Sequence, residues 1–133
     1  MIWLAFALTA GTTGAMIFFG AVVAPTAFTK LSEEQAGLFV RTLFPRYYLA
    51  FGITTLLATI PAFLVGALWS GVLLALICLG FVIARQVLMP AINAAKDAGE
   101  MKRFDQLHKT SVYLNMVQLV GLLAALFMIP ALV

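Results

Sequence analysis

Four side chains recur at helical spacing toward the end of the chain: His108, Ser111, Asn115 and Gln118. Steps of three and four residues put them on one face of a helix. Together they offer an imidazole, a hydroxyl and two amides, a set that can hydrogen-bond a polar solute. His108, the only histidine, adds proton relay or ligation of haem iron or a soft metal, and Asp105 three residues earlier can hold its tautomer. A second polar set lies upstream: Arg85, Gln86, Met89 and Asn93. Met89 is the candidate partner of His108 at a metal. Cys78 is the only cysteine and can form no intrachain disulfide. It lies roughly 16 Å along a helix from Met89, so the two sulfurs cannot share one metal. Nucleophile triads, thiol pairs, phosphate loops and metal-binding carboxylate clusters are missing from the sequence, which argues against most enzyme classes.

The elements that position these groups follow from where the charge is absent. The chain has 133 residues, 64% hydrophobic and only 10% charged. Three runs carry no charge at all: Met1–Thr29, Tyr47–Ala84 and Thr110–Val133. Crossing a hydrocarbon core of ~30 Å takes roughly 20 apolar helical residues. The outer runs each fit one crossing, and the middle run fits two, folded at Trp69-Ser70-Gly71. The fold class is therefore all-α integral membrane: a four-transmembrane-helix bundle in one domain, 1–133, with spans at about 3–29, 46–68, 71–95 and 108–132. A membrane barrel would need short segments alternating with a period of two, and none occur. Met1–Ala24 reads as a retained first helix, because it lacks a cationic start and its apolar run is too long for a leader.

All eight basic residues fall in two stretches, Lys30–Arg46 and Arg85–Lys109. Two crossings separate these stretches, so they share one face. The positive-inside rule makes that face cytoplasmic, with loops 30–46 and 96–109 inside and both termini outside a bacterial cytoplasmic membrane. The net charge of +3 is then the signature of orienting loops and not of a nucleic-acid partner. Ser32-Glu33-Glu34-Gln35 has the form of a capping box. Ala36, Phe39, Val40, Leu43 and Phe44 behind it describe a short amphipathic interfacial helix between helices 1 and 2, ending at Pro45. Pro90 bends the third span and Gly99 ends it. No internal repeat is evident.

Each span carries a stripe of small or polar residues, which in lipid is where helices approach closely. The stripes are Thr9, Thr12, Thr13, Met16, Gly20 and Ala24; Tyr48, Gly52, Thr55, Thr59, Ala62 and Gly66; Gly71, Ala75, Cys78, Arg85, Gln86, Met89 and Asn93; and His108 to Gln118. The larger polar groups all fall in the cytoplasmic half. The expectation is a polar vestibule open to the cytoplasm, with His108, Ser111, Asn115 and the deeper Gln118 as one wall and Gln86, Asn93 and Arg85 opposite. Arg85 is the costliest of these, since arginine at the bilayer centre costs at least ~2.5–3.5 kcal/mol. It can snorkel to headgroups or pair with Asp105 or a loop glutamate, and the sharper reading is a role in gating or in attracting an anion.

Several segments resemble the transmembrane protein 205-like family. They are Gly14 through Leu31 with its Ala24-Pro25 element, Leu43-Phe44-Pro45-Arg46-Tyr47-Tyr48, Leu88-Met89-Pro90-Ala91-Ile92-Asn93, and Phe104 through Ser111 followed by Asn115. The resemblance covers nearly the whole chain, and the His-x-x-Ser-x-x-x-Asn pattern is its most specific part. It implies a four-helix membrane fold and hints at soft-metal handling or export. The layout is also broadly similar to the copper-resistance membrane domain and to a small haem-binding protoporphyrinogen oxidase. This chain departs from both, having no histidine in its first helix, so a two-histidine haem site would require two subunits.

The function these readings favour is a non-enzymatic membrane protein that binds or moves a small solute or metal ion through the vestibule. The alternative is an accessory or assembly subunit of a larger membrane complex, and a haem-dependent oxidoreductase is the third reading. The lipid bilayer is the expected partner. Outward-facing Gly11 and Gly14 would suit a homo-oligomer.

Overall fold

Three short turns, at 31–32, 65–67 and 98–100, divide the chain into four long helices. A computed structural model describes residues 1–129, and no strand occurs among them. The helices are α1 (Ile2–Lys30), α2 (Glu33–Leu64), α3 (Leu68–Asp97) and α4 (Met101–Met128), each long and apolar enough to cross a membrane. The chain is an integral membrane protein with four spanning helices. The part of the expected fourth span beyond residue 129 lies outside the described residues.

Two boundaries differ from the sequence expectation. The amphipathic stretch after Ser32 is not a separate helix: α2 runs unbroken from Glu33 through Pro45 to Leu64. Proline removes one backbone donor without having to end a helix, and the Arg46 side chain donates to the Thr42 carbonyl at 2.8 Å in the disturbed turn. The turn before α3 is also earlier than expected. Gly66 adopts φ +76, and the Ala67 amide donates to the Ala62 carbonyl, a glycine-dependent helix end. Trp69, Ser70 and Gly71 are instead the first turn of α3. Gly71 is needed for packing, because a Cβ there would lie 2.6 Å from the Phe63 ring. Two other expectations hold. Ser32 and Gln35 make the reciprocal capping box, and Gly99 ends α3 with φ +72.

Neither α1 nor α3 is a plain α-helix. Each contains a five-residue π-helical segment, Phe19–Val23 and Ala84–Leu88, that stops one residue short of a proline, Pro25 or Pro90. In an α-helix the residue-90 amide would bond the Gln86 carbonyl. Proline has no such proton and its ring crowds that carbonyl. The chain inserts a residue, and the Met89 amide reaches back to Ala84. Ala24 does the same to Phe19. Pro45 and Pro61 sit in α2 without such a segment, so proline permits the wider turn without dictating it.

The bundle buries many small and polar residues and turns most of its large apolar ones outward. The core contains Ala5, Ala58, Ala62, Thr9, Thr13, Thr55 and Thr59, whereas Trp3, Phe18, Leu56, Leu76, Val117 and Phe127 are exposed. This is the membrane pattern: lipid solvates large side chains, while small ones let backbones approach. Each buried threonine hydroxyl donates to the carbonyl one turn earlier, as Thr9 does to Ala5 at 2.7 Å. Thr12 and Thr54 also share a hydrogen bond of 2.8 Å between α1 and α2. The expected stripe on α1 therefore holds from Thr9 to Met16, but Gly20, inside the π segment, is exposed. On α3 the core face is Ser70, Leu74, Ile77, Phe81 and Ala84. Of the expected stripe, Gly71 and Met89 are buried, Ala75, Cys78, Arg85 and Asn93 are half-buried beside that face, and Gln86 is exposed.

Candidate functional site

Four of the polar residues singled out from sequence, Ser111, Asn115, Arg85 and Gln86, gather in two places. Asn115 is the hub of the first. Its amide nitrogen donates to the Tyr48 hydroxyl at 3.2 Å and to the Ser111 carbonyl at 3.2 Å, and its oxygen accepts from Tyr47 at 3.5 Å. Ser111 is buried, and its hydroxyl donates to the His108 carbonyl at 2.8 Å. The network joins α2 to α4 at the edge of a ring cluster: Phe19, Phe44, Tyr47, Tyr48, Phe51 and Phe81 have neighbouring centroids 4.4–6.3 Å apart. Ser111 and Asn115, expected as one wall of the vestibule, are thus held close to the α2 tyrosines.

The second place is a cleft of about 250 Å³ between α2 and α3. Leu49, Gly52, Ile53 and Leu56 line it from α2, and Cys78, Phe81 and Val82 line it from α3. The Cys78 thiol donates to the Gly52 carbonyl at 3.3 Å, which brings the two backbones close. Tyr48, Arg85 and Gln86 close the cleft at its polar end. The π segment mounts this end. A π turn sets successive side chains at a smaller angle than an α turn, so adjacent Arg85 and Gln86 can both face the cleft.

Arg85 is half-buried. Its Nε donates to the Pro45 carbonyl at 3.0 Å and its Nη1 to Gln86 Oε1 at 3.4 Å. The expected pairing with Asp105 or a loop glutamate does not form: among the described residues the one ion pair is Arg41–Asp97, at 2.8 Å. Arg41 also donates to the Asn93 carbonyl, so it clamps α2 to the end of α3 through exposed groups.

The remaining candidates fall elsewhere. His108 is exposed and stacks on Phe104 with ring centroids 5.9 Å apart. Met89 is buried, Asn93 half-buried. Gln118 is buried against α3, where it donates to the Ile77 carbonyl at 3.0 Å, and its Oε1 has no partner among the described residues. Gly80 makes this possible, since a Cβ there would lie 2.6 Å from Gln118 Nε2. No three His, Cys, Asp or Glu side chains among the described residues lie close enough to hold a metal ion.

Sequence reasoning missed the α2 side of the cleft. Leu49, Ile53 and Leu56 carry no polar signal. Only the alignment of Gly52 with Cys78 marks the place where two helices leave a groove.

Residues 6–101, more than two thirds of the chain, match the model of a family described as a domain of unknown function, DUF4149. The match covers α1 to α3 and stops at the start of α4. No curated protein and no solved structure matches the chain.

Proposed function

The chain belongs to the DUF4149 family, and we propose that it is a non-enzymatic membrane protein that binds a small anionic amphiphile in the cleft between α2 and α3. The observation that carries this reading is Arg85. It is a permanent cation, half-buried beside the apolar cleft, with no carboxylate within ion-pairing distance among the described residues. A charge at membrane depth needs a partner, and an anionic ligand supplies one. Gln86 and Tyr48 add hydrogen-bonding groups beside it, and the rest of the lining is apolar. An amphiphile has that same division.

A metal ion is the less favoured cargo, because His108 and Met89 lie in different surroundings, one exposed and one buried. Passage through the bundle is not part of the reading. The resemblance to transmembrane protein 205-like proteins and the positive-inside rule support a cytoplasmic placement of the charged end.

The test is a titration of dodecyl phosphate into protein in neutral maltoside micelles, following the backbone amide resonances of Gly52 and Val82. Wild type gives a saturable shift, dodecyl phosphocholine a weaker one, and Arg85→Gln loses about tenfold in affinity, the size of one or two charge-assisted hydrogen bonds. Equal binding by wild type and Arg85→Gln would overturn the proposal.

A further inference from the structure

We infer that the natural occupant of the cleft is an anionic phospholipid from the leaflet at the charged end, with its phosphate on Arg85 and Gln86 and one acyl chain lying along Leu49, Ile53, Leu56 and Val82. This deepens the amphiphile reading and rests on it. Three observations select a lipid over a dissolved anion, and a fourth selects an anionic lipid over a zwitterionic one.

The cleft opens sideways. Leu49, Ile53, Leu56 and Val82 are each 46–52% exposed on the outer surface of the bundle, which faces lipid in a spanning helix. A ligand enters from the bilayer without crossing water.

Its length fits one leaflet. Tyr48 to Leu56 covers about 12 Å along a helix, against about 15 Å for half of the hydrocarbon core. Free phosphate would occupy the Arg85 end and leave this apolar length empty.

Its polarity runs in the direction of a lipid. Arg85 is tied to Pro45, next to Arg46 and Tyr47 at the charged end of α2, and the lining becomes purely apolar toward Leu56. Arg85 Nη2 and Gln86 Nε2 donate to nothing among the described residues, so two donor groups remain at the headgroup end.

The field favours net negative charge. All thirteen charged side chains, net +3, lie at this end of the bundle or at Arg85 itself. Juxtamembrane basic groups attract anionic lipid, and a zwitterionic headgroup places its ammonium in the same positive field.

The experiment reconstitutes the full chain in nanodiscs of equal parts phosphatidylcholine and phosphatidylglycerol and releases it into native mass spectrometry. The expected result is a single retained phosphatidylglycerol, enriched about tenfold over phosphatidylcholine. Arg85→Gln abolishes the enrichment. Val82→Trp, at an exposed position, fills the groove and lowers retention while leaving the charge in place. Circular dichroism checks that both variants stay helical. If phosphatidylglycerol is not enriched while dodecyl phosphate still binds wild type, the lipid assignment falls and the amphiphile site stands. If neither binds, both fall. Enrichment unchanged by both variants but lost in Lys102→Gln/Arg103→Gln would place the lipid on the loops and overturn the inference.

Discussion

The two π-helical segments share a local device but differ in what they carry. Phe19–Val23 and Ala84–Leu88 have the same length and the same position before a proline, and each follows a helix of 16 or 17 residues. The first buries none of its residues and contributes Phe19 to the ring cluster. The second buries Ala84, holds Arg85 and Gln86 at the mouth of the cleft, and ties Arg85 to α2. A π segment is often read as a functional mark. Here the backbone irregularity appears twice, and one copy mounts polar side chains beside a groove. The wide turn presents whatever residues it contains, and side-chain chemistry decides whether that matters.

The largest expected effect breaks the comparison at its charged member: the about tenfold affinity loss of Arg85→Gln for dodecyl phosphate has no counterpart at Phe19→Leu, which leaves binding unchanged. Next come the prolines. Pro90→Ala restores the missing amide, lets the segment relax to α geometry and turns Arg85 away from Pro45, so affinity falls by about threefold to fivefold, below the charge deletion. Pro25→Ala leaves affinity unchanged, and the same titration reads both. Equal losses in the two variants would mean that general helix geometry, not the mounted side chains, governs the cleft.

Stability effects sharpen the contrast between the cleft and the Asn115 network. Asn115→Ala strands the Tyr47 and Tyr48 hydroxyls in the ring cluster and destabilises by about 1–3 kcal/mol, seen as a lower thermal midpoint in micelles. Gln118→Met removes a buried group whose oxygen has no partner, and it changes stability by less than about 1 kcal/mol in either direction. The smallest effect is at His108. His108→Ala shifts the midpoint by no more than the equivalent of about 0.5 kcal/mol and leaves amphiphile binding unchanged, as expected for an exposed ring stacked on Phe104.

Much of the fold is visible in the pattern of charge. The charge-free runs mark the four crossings, Ser32 and Gln35 mark the start of α2, and Gly99 marks the end of α3, because each reflects a local requirement of backbone or lipid. The Gly66 turn is less legible: Trp69-Ser70-Gly71 has the composition of a turn, but Gly71 is small to admit Phe63. The continuation of α2 through Pro45 is hidden for a related reason. A proline signals the loss of one hydrogen bond, and whether the helix continues depends on what repairs the turn around it.

The candidate site divides the same way. Asn115 and Ser111 share a helical face, as their spacing requires, yet their partners are tyrosines from α2 that no spacing rule links to them. Arg85 and Gln86 stand out as polar residues in an apolar run, but the groove they close is defined by Leu49, Ile53 and Leu56, which resemble every other lipid-facing residue.

The sequence by itself determined that this chain crosses a membrane four times and gathers its charge at one end, because hydrocarbon excludes ions and hydrogen-bonds no backbone. The tertiary structure alone decided which polar side chains meet. Helix rotation, π insertions and the close approach allowed by Gly52, Gly71 and Gly80 set the angles between faces, and those angles depend on contacts between residues far apart in the chain. Asn115 was thereby bonded to two tyrosines of α2, His108 was left outside, and Arg85 came to rest at the edge of a groove.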